Sequence, residues 1–317
     1  MQSKAFKNIC ILGVGGVGGY FGGKISYTLS QSNVHDQHIS FIARGKHLEK
    51  IKKNGLILDT SEGEFICKPT LATDDISTIP VPDLVLLCTK SYDLENAVKQ
   101  LASKIKDNTI IIPLLNGVDI YERIRKITAK GFVLPSCAYI VAHIEEPGLI
   151  IQRGPYFNIF SGPDAKHPDF EPEPLIHFFI NNGIRFKWNV DSFPAIWEKY
   201  IFIASYGLVT AYSGKPFALV NSDSKLTGMV QDVIKEIHAI AKQRHINLPD
   251  DILDKTLKKG ANIPPDSRTS YQRDVETKGR LNESDIYGET IERMGKEVGI
   301  PTPVTSFLYA EIQNRFK

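Results

Sequence analysis

The feature that most constrains this chain is a glycine-rich turn near its start. Asn8–Leu12 is a short apolar run that predicts a buried strand, and Gly13-Val14-Gly15-Gly16-Val17-Gly18 follows it directly. A G-x-G-x-x-G pattern between a strand and a helix is typical of a turn that binds the pyrophosphate of a dinucleotide. Its first glycine permits a tight turn, the second lets a phosphate approach the backbone, and the third lets the helix pack closely on the sheet. The same pattern also suits a turn that binds no ligand.

The helix after this turn, predicted over 17–31, supplies a second reason to expect a phosphate there. The free N–H groups and the positive dipole end of a helix N-terminus attract anions. We therefore take the six residues of the turn as cofactor-binding candidates: Gly13, Val14, Gly15, Gly16, Val17 and Gly18.

The end of the second predicted strand favours NADP over NAD. This strand, His38–Ala43, ends at Arg44-Gly45-Lys46, and no Asp or Glu stands there. An acid at this place usually accepts a hydrogen bond from the ribose hydroxyl of NAD. An arginine instead matches a phosphate with two parallel hydrogen bonds. Arg44 is therefore our candidate for the 2′-phosphate of NADP, although a solvated basic loop after a strand is common.

Two further predicted strands end in polar residues. Pro82–Cys88 leads to Thr89-Lys90-Ser91, and Thr109–Leu115 leads to Asn116-Gly117. Ligands of open α/β sheets bind beyond the carboxyl ends of the strands. Lys90 and Asn116 are therefore placed where a cofactor or substrate would bind, while Asn-Gly is also a common turn pair.

Composition and charge exclude several other classes of function. The net charge of +2 gives no indication of a nucleic-acid partner, and no run of 18 apolar residues suggests a membrane span. The four cysteines are scattered without metal-ligand or redox spacing, which fits a reducing, cytoplasmic location. None of the eight histidines belongs to a spaced cluster, so we expect no metal.

The pattern of elements predicts two domains of different character. Strands and helices alternate as far as the predicted strand 183–190, and a hairpin is predicted over 55–67. From residue 191 onward the periodicity is helical, with long helices predicted over 194–212, 224–246 and 282–298. We therefore predict an α/β dinucleotide-binding domain over 1–190 and an all-helical domain over 191–317.

Lys199 is unusual because it lies in a helix that is apolar nearly all round. Its neighbours on the same face are Phe202, Ile203, Tyr206 and Gly207. An unpaired buried charge costs several kcal/mol, so this lysine needs a partner or a role. The alternative is a lysine whose long stem carries its ammonium group to water.

Glu283 heads the apolar stripe of the helix predicted over 282–298. Ile286, Ile291 and Met294 follow it on the same face, whereas the other acids of the segment lie on the opposite side. A carboxylate in the first turn of a helix is also stabilising without any functional role.

Taken together, these positions resemble the ketopantoate reductase (2-dehydropantoate 2-reductase) family along nearly the whole chain. In the second domain, the W-E-K-Y sequence around Lys199 is similar to the W-x-K-L segment of the family. The segment Gly299–Pro303 near the end of the chain is similar to the G-I-P-T-P segment of the family. The matching segments, in chain order, are Gly13–Gly18, Arg44, Thr89-Lys90, Leu115–Val118, Trp197–Tyr200, Thr269–Asp274, Asn282–Asp285 and Gly299–Pro303.

The resemblance implies a Rossmann-type domain carrying NADPH, a helical second domain, and a 2-oxo acid bound in a cleft between them. It implies reduction of ketopantoate to pantoate in pantothenate and coenzyme A biosynthesis. By this resemblance Lys199 is the general acid and Glu283 the carboxylate that binds a substrate hydroxyl. Lys90 and Asn116 would hold the nicotinamide end and help place Lys199, with Asn116 also at the substrate, and Ser270 would contact the substrate carboxylate.

The chain departs from the family pattern at three positions. The family has asparagine four and eight residues after the catalytic lysine, where this chain has Ile203 and Gly207. A third asparagine, two residues after the T-P of the closing segment, is replaced by Thr305. Fewer polar groups would then hold a small hydroxylated substrate, which leaves the substrate open.

Three hypotheses therefore follow from the sequence. The first is NADPH-dependent reduction of ketopantoate, and the second is reduction of another branched or more apolar 2-oxo acid by a paralogue. The third, from a different class, is a non-catalytic NADP(H)-binding sensor, which would need neither Lys199 nor Glu283. A homodimer is compatible with all three.

Overall fold

The computed structural model describes residues 6–32, 36–277, 279 and 281–316, with side chains described at all of these except 155–157. It forms two compact units. The first comprises Met1–Leu115 and Ile120–Ser192, and the second comprises Asn116–Asp119 and Phe193–Lys317. The division at residue 190 made from the sequence stays a prediction.

A six-stranded parallel sheet forms the centre of the first unit. Its spatial order is β5-β2-β1-β6-β7-β8, and every neighbouring pair is parallel. The strands are β1 (Asn8–Leu12), β2 (His38–Ile42), β5 (Leu71–Thr73), β6 (Leu84–Leu87), β7 (Ile110–Pro113) and β8 (Phe132–Val133). This order of strands confirms the α/β, Rossmann-type class.

A second sheet in the same unit has the order β11-β10-β3-β4, with β9 also paired to β10. Its antiparallel hairpin, β3 with β4, is the hairpin predicted from the sequence. The strands are β3 (Leu56–Thr60), β4 (Gly63–Cys67), β9 (Ser136–Glu146), β10 (Leu149–Ser161) and β11 (Arg185–Trp188).

Helices cover both faces of the parallel sheet, which explains why its strands are largely apolar. Along β1, Ile9 and Ile11 join one core cluster with Phe21 of the first helix, and Cys10 and Leu12 join another on the opposite face. The helices of this unit are α1 (Gly16–Gln31), α2 (Gly45–Asn54), α3 (Leu94–Leu101), α4 (Ile120–Arg125) and α5 (Glu173–Asn181).

The second unit is built almost entirely of helices, as the sequence predicts. Its longest helix, α6, is apolar nearly all round and largely buried. Within the described ranges, no helix of either unit is long and apolar enough to cross a lipid bilayer. The helices are α6 (Phe193–Ser213), α7 (Phe217–Ser222), α8 (Ser224–Gln243), α9 (Ile252–Ala261), α10 (Ser270–Glu276), α11 (Thr290–Val298) and α12 (Pro303–Phe316).

The structure differs from the sequence-based prediction around 282–298. A π-helical turn, Asp285–Glu289, comes first and α11 follows it, so Glu283 precedes the helix rather than standing in it. The side-chain oxygen of Asn282 accepts a hydrogen bond from the N–H of Ser284 at 3.0 Å, which is the interaction of a helix-capping residue and places the helix start after Asn282. The short helices α7 and α10 are not visible in the sequence pattern.

Candidate active site

The glycine turn has the geometry that a pyrophosphate site requires. Gly13 has φ +98°, and a Cβ there would lie 2.7 Å from the carbonyl oxygen of Cys88. A Cβ on Gly18 would collide with the carbonyl oxygen of Gly13. At Gly15, by contrast, a Cβ would have no atom within 4 Å. The first and third glycines are therefore needed for packing, and the second borders open space.

The residues of the turn thus fit the cofactor that the sequence predicts. Gly15 occupies the N-cap of the 16-residue helix α1, with no side chain capping the first turn and no acid in it. The first N–H groups of a helix have no partner within the helix, so those at the start of α1 are suited to bind a diphosphate. Gly16 has an additional packing role, because a Cβ there would collide with the carbonyl of Ala142 in β9.

Arg44 lies at the N-cap of α2, directly after β2, and no acid stands at this strand end. Its side chain is 63% exposed, and Nη1 lies 3.3 Å from Oδ2 of Asp93, which is 34% exposed. An ion pair this exposed and this long contributes at most about 1 kcal/mol. A phosphate can therefore replace Asp93 as the partner of the guanidinium group at little cost.

The end of β6 presents Thr89 and Lys90, both half-buried. The hydroxyl oxygen of Thr89 is buried and has no hydrogen-bond partner among the residues that the structure describes. A buried polar atom in this state is often completed by a ligand or water. Lys90 stands immediately before the short helical turn Ser91–Asp93, at the carboxyl edge of the sheet.

His47 is a residue of this region that the sequence did not single out. Its Nδ1 accepts a hydrogen bond from the N–H of Gly148 at 2.9 Å. Burial lowers the pKa of His47 below its usual 6.5, with the carbonyl of Val14 opposing that shift. A single histidine in a polar helix gives no reason to predict this hydrogen bond to Gly148 from the sequence.

In the second unit, Lys199 has a specific partner. Its Nζ donates a hydrogen bond to Oδ1 of Asn116 at 2.8 Å. Both residues are half-buried, and Asn116 belongs to the four-residue segment Asn116–Asp119 that packs with the helices. The structure therefore brings together two residues that lie 83 positions apart in the chain. The amide oxygen of Asn116 is a neutral acceptor, so this hydrogen bond orients the ammonium group without neutralising its charge.

Ser270 and Glu283 share a neighbour, Tyr287. The hydroxyl oxygens of Ser270 and Tyr287 lie 3.4 Å apart. Glu283 is 4% exposed, and its charge contributes, after burial, to raising the pKa of Tyr287. Tyr271 stacks on Tyr287 with ring centroids 4.3 Å apart, and its hydroxyl donates to Ser284 at 3.2 Å. The two aromatic rings thus connect the two predicted substrate residues.

The three positions that depart from the family pattern have different surroundings. Ile203 is half-buried on α6, one turn after Lys199. At Gly207 a Cβ would lie 3.0 Å from Cε1 of Tyr287, so the tyrosine ring fills the space beside this glycine. Thr305 is fully buried, and its hydroxyl donates to Oε2 of Glu236 at 2.6 Å. Thr305 therefore has a structural role, at the start of α12.

Comparison with known proteins gives a consistent result for both units. The family model described as "Ketopantoate reductase PanE/ApbA" matches residues 9–164. The model described as "Ketopantoate reductase PanE/ApbA C terminal" matches residues 191–315. Together they span most of the chain and confirm the resemblance seen in the sequence.

Individual relatives agree with this result. The 2-dehydropantoate 2-reductase of Mesorhizobium japonicum is 25% identical over 326 residues, covering 96% of this chain and 96% of the relative. The PanE/ApbA family ketopantoate reductase of Ralstonia eutropha has a similar structure, with a TM-score of 0.87, 25% identity and 97% of each chain covered. A D-mandelate dehydrogenase complex shares the fold at a TM-score of 0.84 and 22% identity, covering 97% of this chain and 98% of the other.

Proposed function

The chain belongs to the ketopantoate reductase family of NADP-dependent oxidoreductases, and on this premise we propose that it reduces ketopantoate to pantoate with NADPH. The product would serve pantothenate and coenzyme A biosynthesis. The observation that carries this proposal is the hydrogen bond between Lys199 and Asn116. It orients a protonated amine in the helical unit, as a carbonyl reductase requires.

The first unit would supply every cofactor contact except that of Asn116, which belongs to the second unit. The N–H groups of the turn from Gly13 to Gly18 would bind its pyrophosphate, Arg44 its 2′-phosphate, and Lys90 and Asn116 its nicotinamide end. When bound, NADPH supplies the hydride for the carbonyl carbon of the substrate. The open space at Gly15 and the exposed guanidinium group of Arg44 support this assignment.

Lys199 would supply the proton. As negative charge develops on the carbonyl oxygen, Nζ donates a hydrogen bond to it and then transfers a proton, which yields the hydroxyl of the product and a neutral amine. Asn116 accepts another of the ammonium protons and so keeps Nζ in one orientation. General acid catalysis of this kind contributes about 10²–10⁴-fold to the rate.

Glu283 and Ser270 would bind the ends of the substrate. The carboxylate of Glu283 accepts a hydrogen bond from the hydroxyl group of ketopantoate, and the hydroxyl of Ser270 donates to the substrate carboxylate. Because Glu283 is almost completely buried, a substrate without the hydroxyl group leaves its carboxylate without that hydrogen bond.

A second candidate is reduction of a branched 2-oxo acid that carries no hydroxyl group. Two observations favour it, since Ile203 is apolar and the ring of Tyr287 fills the space beside Gly207. Both lie on the face of α6 that carries Lys199. An apolar substituent of the substrate would pack against this surface.

A steady-state assay of NADPH oxidation separates the candidates. It compares ketopantoate with its deoxy analogue, in which a methyl group replaces the hydroxymethyl group. For the first candidate we expect kcat/KM for ketopantoate to exceed that for the analogue by at least about a hundredfold, since sites that hydrogen-bond a hydroxyl reject its absence strongly. A preference for the analogue selects the second candidate.

Glu283→Gln provides the matched variant for this assay. We expect it to lower kcat/KM for ketopantoate and to leave turnover of the deoxy analogue near its original value. Binding of NADPH without turnover of any 2-oxo acid would overturn the proposed reductase activity and favour a sensor.

A further inference from the structure

The segment Asn116–Asp119 has an unexpected place in the fold. It follows β7 and precedes α4, which both belong to the first unit, yet it packs with the helices of the second. Gly117 has φ +121°, a value that lets the chain turn sharply between Asn116 and Val118. A specific contact must therefore attach Asn116–Asp119 to the helices of the second unit.

Asp119 provides this attachment. Its Oδ2 accepts a hydrogen bond from Nη2 of Arg293 in α11 at 2.6 Å, and Oγ1 of Thr290 lies 3.4 Å from the same oxygen. The Asp119 side chain is only 5% exposed, whereas that of Arg293 is 39% exposed. A carboxylate buried to this degree depends on its cationic partner, since without it the charge would be left uncompensated.

The attachment lies close to Lys199. Tyr200, the next residue in α6, is buried, and burial followed by the charge of Asp119 raises its pKa. Asp119 is therefore near enough to the start of α6 to act on its side chains electrostatically. Three residues of chain link Asp119 to Asn116, a reach of about 10 Å at most. Fixing Asp119 on α11 consequently limits where the Asn116 amide can lie.

We propose that Asp119 and Arg293 are positioning residues that hold Asn116 against Lys199 and thereby orient the proton donor. Neither residue touches the reacting atoms. The inference rests on the proposed function in one respect only, which is that Lys199 donates the proton. The ion pair, the turn at Gly117 and the Lys199–Asn116 hydrogen bond form a continuous link from α11 to α6.

Three variants of the full-length protein test this link. Arg293→Met removes the guanidinium group, Arg293→Lys keeps a positive charge, and Glu297→Gln is the matched control. Glu297 accepts hydrogen bonds from Nη1 of Arg293 at 2.8 Å and from Nη1 of Arg244 at 3.5 Å. Its replacement by glutamine removes the negative charge from another partner of Arg293 without touching Asp119.

We expect Arg293→Met to lower kcat about 10- to 100-fold and to change the pH profile of kcat. Displacing a catalytic group by about 1 Å can reduce a rate by about this factor. Arg293→Lys should recover most of the rate, and Glu297→Gln should match the original protein. Equal losses in Arg293→Met and Glu297→Gln, or an unchanged pH profile in Arg293→Met, would overturn the proposal.

A double-mutant cycle shows whether Arg293 acts through Asn116. If it does, adding Arg293→Met to Asn116→Ala should lower kcat no further than Asn116→Ala alone, because residues that share one network are not additive. Two losses that simply multiply would contradict the link.

Acetylation of Lys199 by acetic anhydride, followed by mass spectrometry, tests the link without turnover. Arg293→Met should raise the acetylation rate of Lys199 several-fold, and Glu297→Gln should not. If the original protein reduces no 2-oxo acid, the proposed function fails. The labelling result then decides the positioning role by itself, with an unchanged rate in Arg293→Met rejecting it.

Discussion

Replacement of Gly15 by alanine is expected to weaken cofactor binding while leaving the fold intact. Gly15 has φ −83° and ψ −160°, which any residue adopts, and its Cβ would have no atom within 4 Å. Alanine is a poorer N-cap than glycine by about 1 kcal/mol, but it also reduces the entropy of the unfolded chain by a similar amount. These two effects nearly cancel, so we expect the free energy of unfolding to change by less than about 1 kcal/mol.

The effect on the cofactor follows from the same geometry. The methyl group would enter the space in which we place the pyrophosphate, and inserting a methyl group into a filled site costs about 1–3 kcal/mol. Each 1.4 kcal/mol is a factor of about ten in Kd. The Kd for NADPH should therefore rise about 5- to 150-fold, which can be measured by titration calorimetry alongside thermal unfolding.

Gly18→Ala is the matched comparison. Its Cβ would collide with the carbonyl oxygen of Gly13 and lie 2.9 Å from Cβ of Cys88, so this variant should lower the unfolding temperature. Gly15→Ala should not. NADPH binding by Gly15→Ala within about twofold of the original protein would refute the placement of the pyrophosphate.

Three further outcomes are expected. Arg44→Ala should weaken NADPH binding much more than NADH binding, and equal losses would refute the phosphate role. Glu236→Gln should lower the free energy of unfolding, measured in urea, by about 2–3 kcal/mol, because the buried Glu236 carboxylate accepts hydrogen bonds from the N–H and the hydroxyl of Thr305. Glu311 is exposed, so Glu311→Gln should leave the free energy of unfolding unchanged. Folding lowers the pKa of His47, so the unfolded state binds a proton at a higher pH than the folded state does. The free energy of unfolding should therefore fall as the pH drops below about 6.5. His47→Gln should reduce this loss, which urea titrations at several pH values measure.

Local patterns in the sequence were sufficient to predict much of this architecture. The strand Asn8–Leu12 is an apolar run and the turn after it is a local pattern of glycines, so both can be recognised from adjacent residues in the sequence. The change from alternating strands and helices to helices alone near residue 191 can likewise be predicted from the spacing of apolar residues along the sequence. Lys199 was conspicuous because its own helix is apolar.

Features that depend on contacts between distant segments could not be predicted in this way. Nothing near Asp119 indicates that it binds Arg293, which lies 174 positions later. The packing of Tyr287 beside Gly207 depends on how two helices approach each other, and periodicity carries no such information. The contact of His47 with Gly148 joins residues 101 positions apart, so a single histidine in α2 appeared unremarkable.

The most direct test of the account is the rate of hydride transfer in a single turnover, measured with saturating NADPH and ketopantoate in the original protein and in Lys199→Ala. Exposed Lys255→Ala serves as the control. We expect Lys199→Ala to be slower by at least about a hundredfold with its Kd for NADPH unchanged, because the proton donor is lost and the cofactor site is not. A rate within about threefold of the original protein would contradict the account.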